Sequence, residues 1–157
     1  MNFLVIGSGA REHIIGEKLS EAGASVYSIL TNSNPGLISL SREILSVDNF
    51  VSNKALITDF ALQKKIDCAV IGPEDPLANG FSDMFRKKNI SVVGPLKVLA
   101  QIETSKGFTR DLLSEYDIDC SPQYKRFTGM NGVTEFINSL SQNYVIKFDG
   151  LMGGKGV

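Results

Sequence analysis

Histidine occurs once among the 157 residues and cysteine twice. With His13 as its sole imidazole the chain offers no ligand set for zinc. Cys68 and Cys120 lie far apart without CxxC spacing, so two reduced thiols and a cytoplasmic setting are expected. Charge of one sign is lacking too. Sixteen Lys and Arg stand against 17 Asp and Glu, a formal net charge of −1, which supports neither a nucleic-acid partner nor a membrane surface. No apolar run approaches the roughly 20 residues that span a bilayer. Repeats and low-complexity tracts are missing. The apolar start "MNFLVIG" is too short before its glycines for a signal peptide and is expected to be a buried strand. What remains is ordinary globular composition, 43% hydrophobic and 21% charged, at a length suited to about one domain with room for an attached subdomain.

The first hundred residues alternate short apolar runs with helical patterns. "NFLVIG" (residues 2–7) is four apolar residues stopped by glycine, the form of a central parallel strand buried on both faces. A helix is predicted next, with Ile14, Ile15 and Leu19 on its apolar side and Gly23 at its C-cap. Further strands are predicted over 24–30, 42–47, 67–72 and 90–94, and helices over 53–65 and 77–89. Strands alternating with helices imply a doubly wound parallel α/β sheet. Beyond Pro95 the rhythm changes: a helix over about 104–116, a turn or linker at Pro122, then strand 123–127, helix 133–140 and strand 144–148. The boundary is expected within 94–103, dividing the chain into domains 1–100 and 101–157. About fifty residues with two strands bury too little for a core of their own, so the second is expected to be the start of a larger domain.

Three constellations carry chemistry. "GSGAREH" (residues 7–13) turns from the first strand into the first helix, where open parallel sheets bind ligands and a helix N-terminus attracts anions. It fails as a dinucleotide fingerprint, because Glu12 stands at the third glycine and "ILTNSNPG" after the second strand holds no acid for a ribose. Arg11 is either an anion partner or, with Glu12, part of a solvated first turn; His13 reads as a capping or packing residue. "GPEDPLANG" (residues 72–80) presents Glu74 and Asp75 at the same sheet edge. N-capping by Asp75 with Pro76 at the first helical position would account for Asp75 and leave Glu74 for a ligand. The third set is Lys106 at a helix opening, Lys147 ending the apolar "YVIKF", and Lys155 in "DGLMGGKGV", where four glycines fall among nine residues. Alone, Lys106 reads as a surface residue. An ammonium in a buried strand is expensive unless an anion pairs with it, and a glycine-rich flap exposes N–H groups. The loop is no Walker A: it is one residue short before the lysine and has Gly156 where Ser or Thr belongs.

The set "GSGAREH", "GPEDPLANGFSD", "VVGP", "TSKGF" and "VIKFDGLMGGKGV", in this order and along the whole chain, resembles the phosphoribosylamine–glycine ligases, members of the ATP-grasp superfamily. Ala10 stands where that family usually has a further glycine, and Met152 and Gly153 stand where it more often has alanines. The resemblance implies a Rossmann-like pre-ATP-grasp domain followed by the incomplete start of an ATP-grasp domain, with ATP and magnesium clamped between two domains. It also implies de novo purine biosynthesis, through ligation of glycine to phosphoribosylamine by way of an acyl phosphate. By the same resemblance Lys106, Lys147, Gly153, Gly154, Lys155 and Gly156 would contact ATP, while Gly7, Ser8, Gly9, Arg11, Glu74 and Asp75 would hold phosphoribosylamine. No catalytic residue and no metal ligand is assigned in this chain; the magnesium carboxylates are expected downstream of it. The chain is thus expected to be the front of a longer ligase, inactive alone. Two alternatives stand beside this: another ATP-grasp carboxylate–amine ligase, or a non-catalytic nucleotide or ribonucleotide-binding module.

Overall fold

The computed structural model describes residues 1–140, 143–153 and 155–157, and the chain divides into two compact units, Met1–Ala100 and Gln101–Val157. The first is a doubly wound sheet. Strands β1 (Asn2–Ile6), β2 (Ser25–Leu30), β3 (Glu43–Ser46), β4 (Cys68–Ile71) and β5 (Ser91–Val93) are all parallel, in the order β3-β2-β1-β4-β5. Helices α1 (Ala10–Glu21), α2 (Pro35–Leu40), α3 (Lys54–Gln63), α4 (Glu74–Ala78) and α5 (Phe81–Arg86) connect them.

The pleat of β1 sorts the core into two layers. Leu4 and Ile6 join Ile29, Ala69 and Ile71, under Ile57, Phe60 and Ala61 of α3 and Phe81 and Phe85 of α5. Val5 turns the other way with Val26, Leu30 and Leu37, where Ile15 and Leu19 of α1 pack. The inward stripe of α1 is the buried Glu12 and Gly16 with the half-buried Ile15 and Leu19, spaced as one helical face. Ile14 lies off that stripe and is exposed, correcting its expected place on the apolar side. The helix expected over 77–89 is two helices, because Gly80 adopts φ +73° and turns the chain between α4 and α5. The short α2, capped by the Asn34 side chain with Pro35 at its start, was not foreseen.

The second unit is helical where it is regular. Helix α6 (Lys97–Thr104) runs across the division between the units, in the stretch expected to be a boundary, and α7 (Lys106–Glu115) and α8 (Val133–Ser139) follow it. Neither predicted strand forms: residues 123–127 and 144–148 have no ladder partner among the described residues. The side chains of Tyr144, Val145, Ile146 and Phe148 are exposed. Apolar, β-branched sequence supplies propensity, but an extended segment without a neighbour cannot hold strand geometry. Both cysteines are free thiols. Among the described residues no helix is long and apolar enough to cross a membrane.

Phe81 is fully buried, edge-on to Phe85 at 6.3 Å between ring centres. Phe81→Ala should cost about 3–5 kcal/mol, read as a lowered urea midpoint of the sheet unit. A loss below about 1 kcal/mol would show that this layer is not close-packed.

Candidate functional site

β1 lies at the centre of the sheet, and the chain leaves it by α1 toward β2 on one side but returns by α3 to β4 on the other. The carboxyl ends of β1 and β4 therefore flank the topological switch point, where open α/β sheets take ligands. Register fixes the two loops at one level. Ile6 pairs with Ile71, the Gly72 N–H donates to the Ile6 carbonyl at 3.0 Å, and the Gly7 N–H donates to the Ile29 carbonyl at 3.1 Å.

The space between these loops is filled from within by Glu12. It is 4% exposed, and its Oε2 accepts from the Gly9 N–H at 2.7 Å, the backward half of a capping box. Its Oε1 accepts from Arg11 Nε at 3.1 Å. A Cβ on Gly72 would stand 2.0 Å from Oε1, and one on Gly7 would stand 2.6 Å from Cγ. Gly7 also carries φ +126°, a left-handed value that suits glycine. These glycines make room for a carboxylate of the same chain. This corrects the reading of Glu12 as part of a solvated first turn: the residue at the third glycine position is buried and fills the space the glycines leave. Its burial is answered by an N–H at a helix N-terminus and by a guanidinium. Arg11, with its side chain 63% exposed, carries the charge outward. Ala10 takes the first helical position without a positive φ, so alanine causes no strain there.

Ser8 is a brace. Its Oγ accepts from the N–H groups of Thr31 at 2.9 Å and Asn32 at 3.2 Å. Asn34 Nδ2 donates to the carbonyls of Ser8 at 3.1 Å and Gly9 at 3.3 Å, and Asn34 Oδ1 accepts from the Leu37 N–H. The turn after β2 thus holds the glycine loop in shape. Sequence reasoning read that turn only for a missing acid, although Asn before Pro is a signal for a helix cap. His13 packs against Gly36, whose Cβ would meet Nε2 at 1.9 Å.

In the loop after β4, α4 begins at Glu74 with Pro73 as its N-cap, so Asp75 is not the cap expected of it. Pro73 takes the extended backbone of an N-cap, with φ −79° and ψ 153°. Asp75 is exposed and its Oδ1 accepts from Asn79 Nδ2 at 3.1 Å. Glu74 is half-buried, and among the described residues its carboxylate has no hydrogen bond or ion pair.

The second unit gathers its own set. Lys106 Nζ donates to the Gly150 carbonyl at 2.7 Å, bringing α7 to the glycine-rich loop. That loop closes on itself where the Phe148 N–H donates to the Gly156 carbonyl at 2.9 Å. Lys147 is exposed, correcting the expectation of an ammonium in a buried strand; the strand that would bury it does not form. Lys155 is exposed as well, and among the described residues neither ammonium is hydrogen-bonded or paired. Gly153 has φ +54° and Gly156 packs against Met152; Gly154 lies outside the described residues.

Asp149 organises this end. It accepts from Ser105 Oγ at 3.0 Å, from the N–H groups of Gly107 at 3.2 Å and Gly150 at 2.9 Å, and from Arg126 at 3.3 Å. Ser105 is itself the N-cap of α7, accepting from the Phe108 N–H. Arg126 continues to Asp111, which also accepts from the Tyr124 hydroxyl at 2.8 Å. Burial opposes charge on Asp149, yet the Gly107 and Gly150 N–H groups, the Ser105 hydroxyl and the Arg126 cation together hold its carboxyl below the usual range. Sequence reasoning missed Asp149, because its partners are 44 residues away at Ser105 and 42 at Gly107. Among the described residues no three His, Cys, Asp or Glu side chains gather for a metal. What remains exposed at this end and without a partner among the described residues is cationic, Lys147 and Lys155, a chemistry suited to phosphate oxygens.

Residues 1–103 match the N domain of the phosphoribosylglycinamide synthetase family, and residues 104–157 match the ATP-grasp (A) domain of the same family. The phosphoribosylamine–glycine ligase of Methanosphaera stadtmanae is 43% identical over 157 residues, all of this chain and 35% of that protein. That of Mesorhizobium japonicum is 40% identical over 157 residues, again all of this chain and 36% of the relative. The crystal structure of the Thermotoga maritima phosphoribosylamine–glycine ligase superposes with a TM-score of 0.72 at 25% identity, covering 99% of this chain and 35% of that one. The chain spans about a third of the length of these relatives.

Because the Asp149 carboxyl is depressed in the folded unit, its stabilising contribution is complete above the ordinary carboxylate value near ~3.9 and is lost as pH falls through the lower folded value. The amide shifts of Gly107 and Gly150 should titrate together with a midpoint below about 3.9, and Asp149→Asn should abolish that titration. A midpoint at or above the ordinary value would contradict the cap.

Proposed function

The chain belongs to the phosphoribosylglycinamide synthetase family, and on that premise we propose that it carries the ribose-phosphate site and the first part of the nucleotide site of an ATP-dependent carbon–nitrogen ligase. The reaction joins glycine to 5-phosphoribosylamine and yields glycinamide ribonucleotide, ADP and phosphate in purine biosynthesis. The observation that carries this reading is the match of consecutive stretches, 1–103 and 104–157, to two consecutive domains of one family. Residues 1–100 are the substrate-binding domain and 101–157 the opening of the ATP-grasp domain.

In this reading the glycine carboxylate attacks the γ-phosphorus of ATP, ADP leaves, and an acyl phosphate forms. The amine of phosphoribosylamine then attacks the acyl carbon, phosphate departs, and the amine gives up a proton. Both steps concentrate negative charge on oxygens, so the catalytic demand is for fixed cations and N–H donors. Lys106, Lys147 and Lys155 supply cations, while Gly153, Gly154 and Gly156 give a backbone that can close over phosphates. Lys106 is already held at the loop by its bond to Gly150. Gly7, Ser8, Gly9 and Arg11, with Glu74 and Asp75, form the ribose-phosphate site: the Arg11 guanidinium toward the phosphate, the glycine loop shaping the crevice, the carboxylates toward hydroxyls or the amine. Magnesium, when bound, would neutralise phosphoryl oxygens; no residue of this chain is assigned to hold it. Closing a glycine-rich loop over an acyl phosphate protects it from water. The setting is cytoplasmic and the partners are small molecules.

Two measurements test this. Calorimetry should detect binding of glycinamide ribonucleotide and none of NAD to the 157-residue chain; NAD binding without ribonucleotide binding would overturn the reading. With ATP, magnesium, glycine and phosphoribosylamine the chain should form no product, since it spans about a third of the relatives' length. Product formation would show that these residues suffice for catalysis.

A further inference from the structure

Glu12 is a buried carboxylate to which the ligase reading assigns no role. Its two oxygens do different things. Oε2 takes the Gly9 N–H, the group that a dinucleotide-binding turn would offer to a pyrophosphate. Oε1 faces Gly72 across the crevice and takes Arg11 Nε. That last bond uses the inner nitrogen of the guanidinium and leaves the outer pair without a partner among the described residues. An exposed arginine ordinarily samples many rotamers, and each must be given up when an anion binds. Held at Nε, this side chain has surrendered part of that freedom beforehand, while it stays 63% exposed and keeps its two outer nitrogens for an anion. The same carboxylate wedges between Gly7, Gly9 and Gly72, so it also sets the spacing of the two loops that flank the switch point.

We propose that Glu12 is the positioning residue of the ribose-phosphate site: it tethers Arg11 by Nε so that the outer guanidinium nitrogens meet a phosphate monoester, and it occupies the glycine-loop N–H against a pyrophosphate. The inference rests on the ligase reading of residues 1–100. Glu12 acts through Arg11 and does not itself touch ligand. Glutamine at this position keeps the shape and one acceptor, but its amide can no longer accept from both Gly9 N–H and Arg11 Nε when one terminal atom is a donor.

The test is a double-mutant cycle on the 157-residue chain with ribose 5-phosphate as probe. Glu12→Gln should weaken binding by about tenfold, measured at a temperature where the variant remains folded. In an Arg11→Ala background the same change should alter affinity by less than about twofold. Equal losses in both backgrounds would overturn the positioning role while leaving the ribose-phosphate reading in place. Failure of the unsubstituted chain to bind ribose 5-phosphate would overturn both. If Glu12→Gln does not fold, the unsubstituted chain decides by NMR. The Arg11 Nε–H should exchange with solvent markedly more slowly than those of exposed arginines, and equal exchange would overturn the tether.

Discussion

A carboxylate removed from water must be answered by donors, and the answer Glu12 receives shapes the sheet unit. Its oxygens bind a helix N-terminal N–H and the inner nitrogen of an arginine, while three glycines on two loops give way to it. The parallel register that places Gly7 and Gly72 at one level provides the slot. The fold and the site meet in that one side chain: sheet order opens a crevice between β1 and β4, and Glu12 determines what kind of crevice it is. A glycine there would leave the N–H groups for a pyrophosphate; the glutamate leaves an oriented guanidinium at the mouth.

The second unit has a parallel device. Asp149 stands at the start of the glycine-rich loop and binds the N-terminal turn of α7, so loop and helix are anchored by one carboxylate. Lys106, the first residue of that helix, then bonds the next carbonyl of the loop. The base of the glycine loop is thus anchored, while Lys155 has no hydrogen bond or ion pair among the described residues.

Much of the sheet unit is legible in the amino-acid sequence, because parallel strands buried on both faces leave continuous apolar runs such as "FLVI" and "CAVI", bounded by glycine. The positions of the loops at residues 7–11 and 72–75 follow from that pattern. What escapes it is long-range. The burial of Glu12 depends on Gly72, sixty residues on, and the role of Asp149 depends on Ser105; neither has a local signature. Gly80 within an apolar stretch carries the hint of a break, but only its left-handed φ divides α4 from α5. In the second unit apolar, β-branched runs predicted strands at 123–127 and 144–148, yet propensity without a pairing partner produces none.

On the proposed reading, the switch-point crevice receives a phosphate monoester on Arg11 while Glu12 keeps the glycine-loop N–H for itself. A crystal structure of the chain with glycinamide ribonucleotide tests it most directly. The ligand phosphate should lie on the outer nitrogens of Arg11, between residues 7–11 and 72–75, with Glu12 still bonded to the Gly9 N–H. A phosphate seated on that N–H with Glu12 displaced, or a ligand bound away from the crevice, would contradict it.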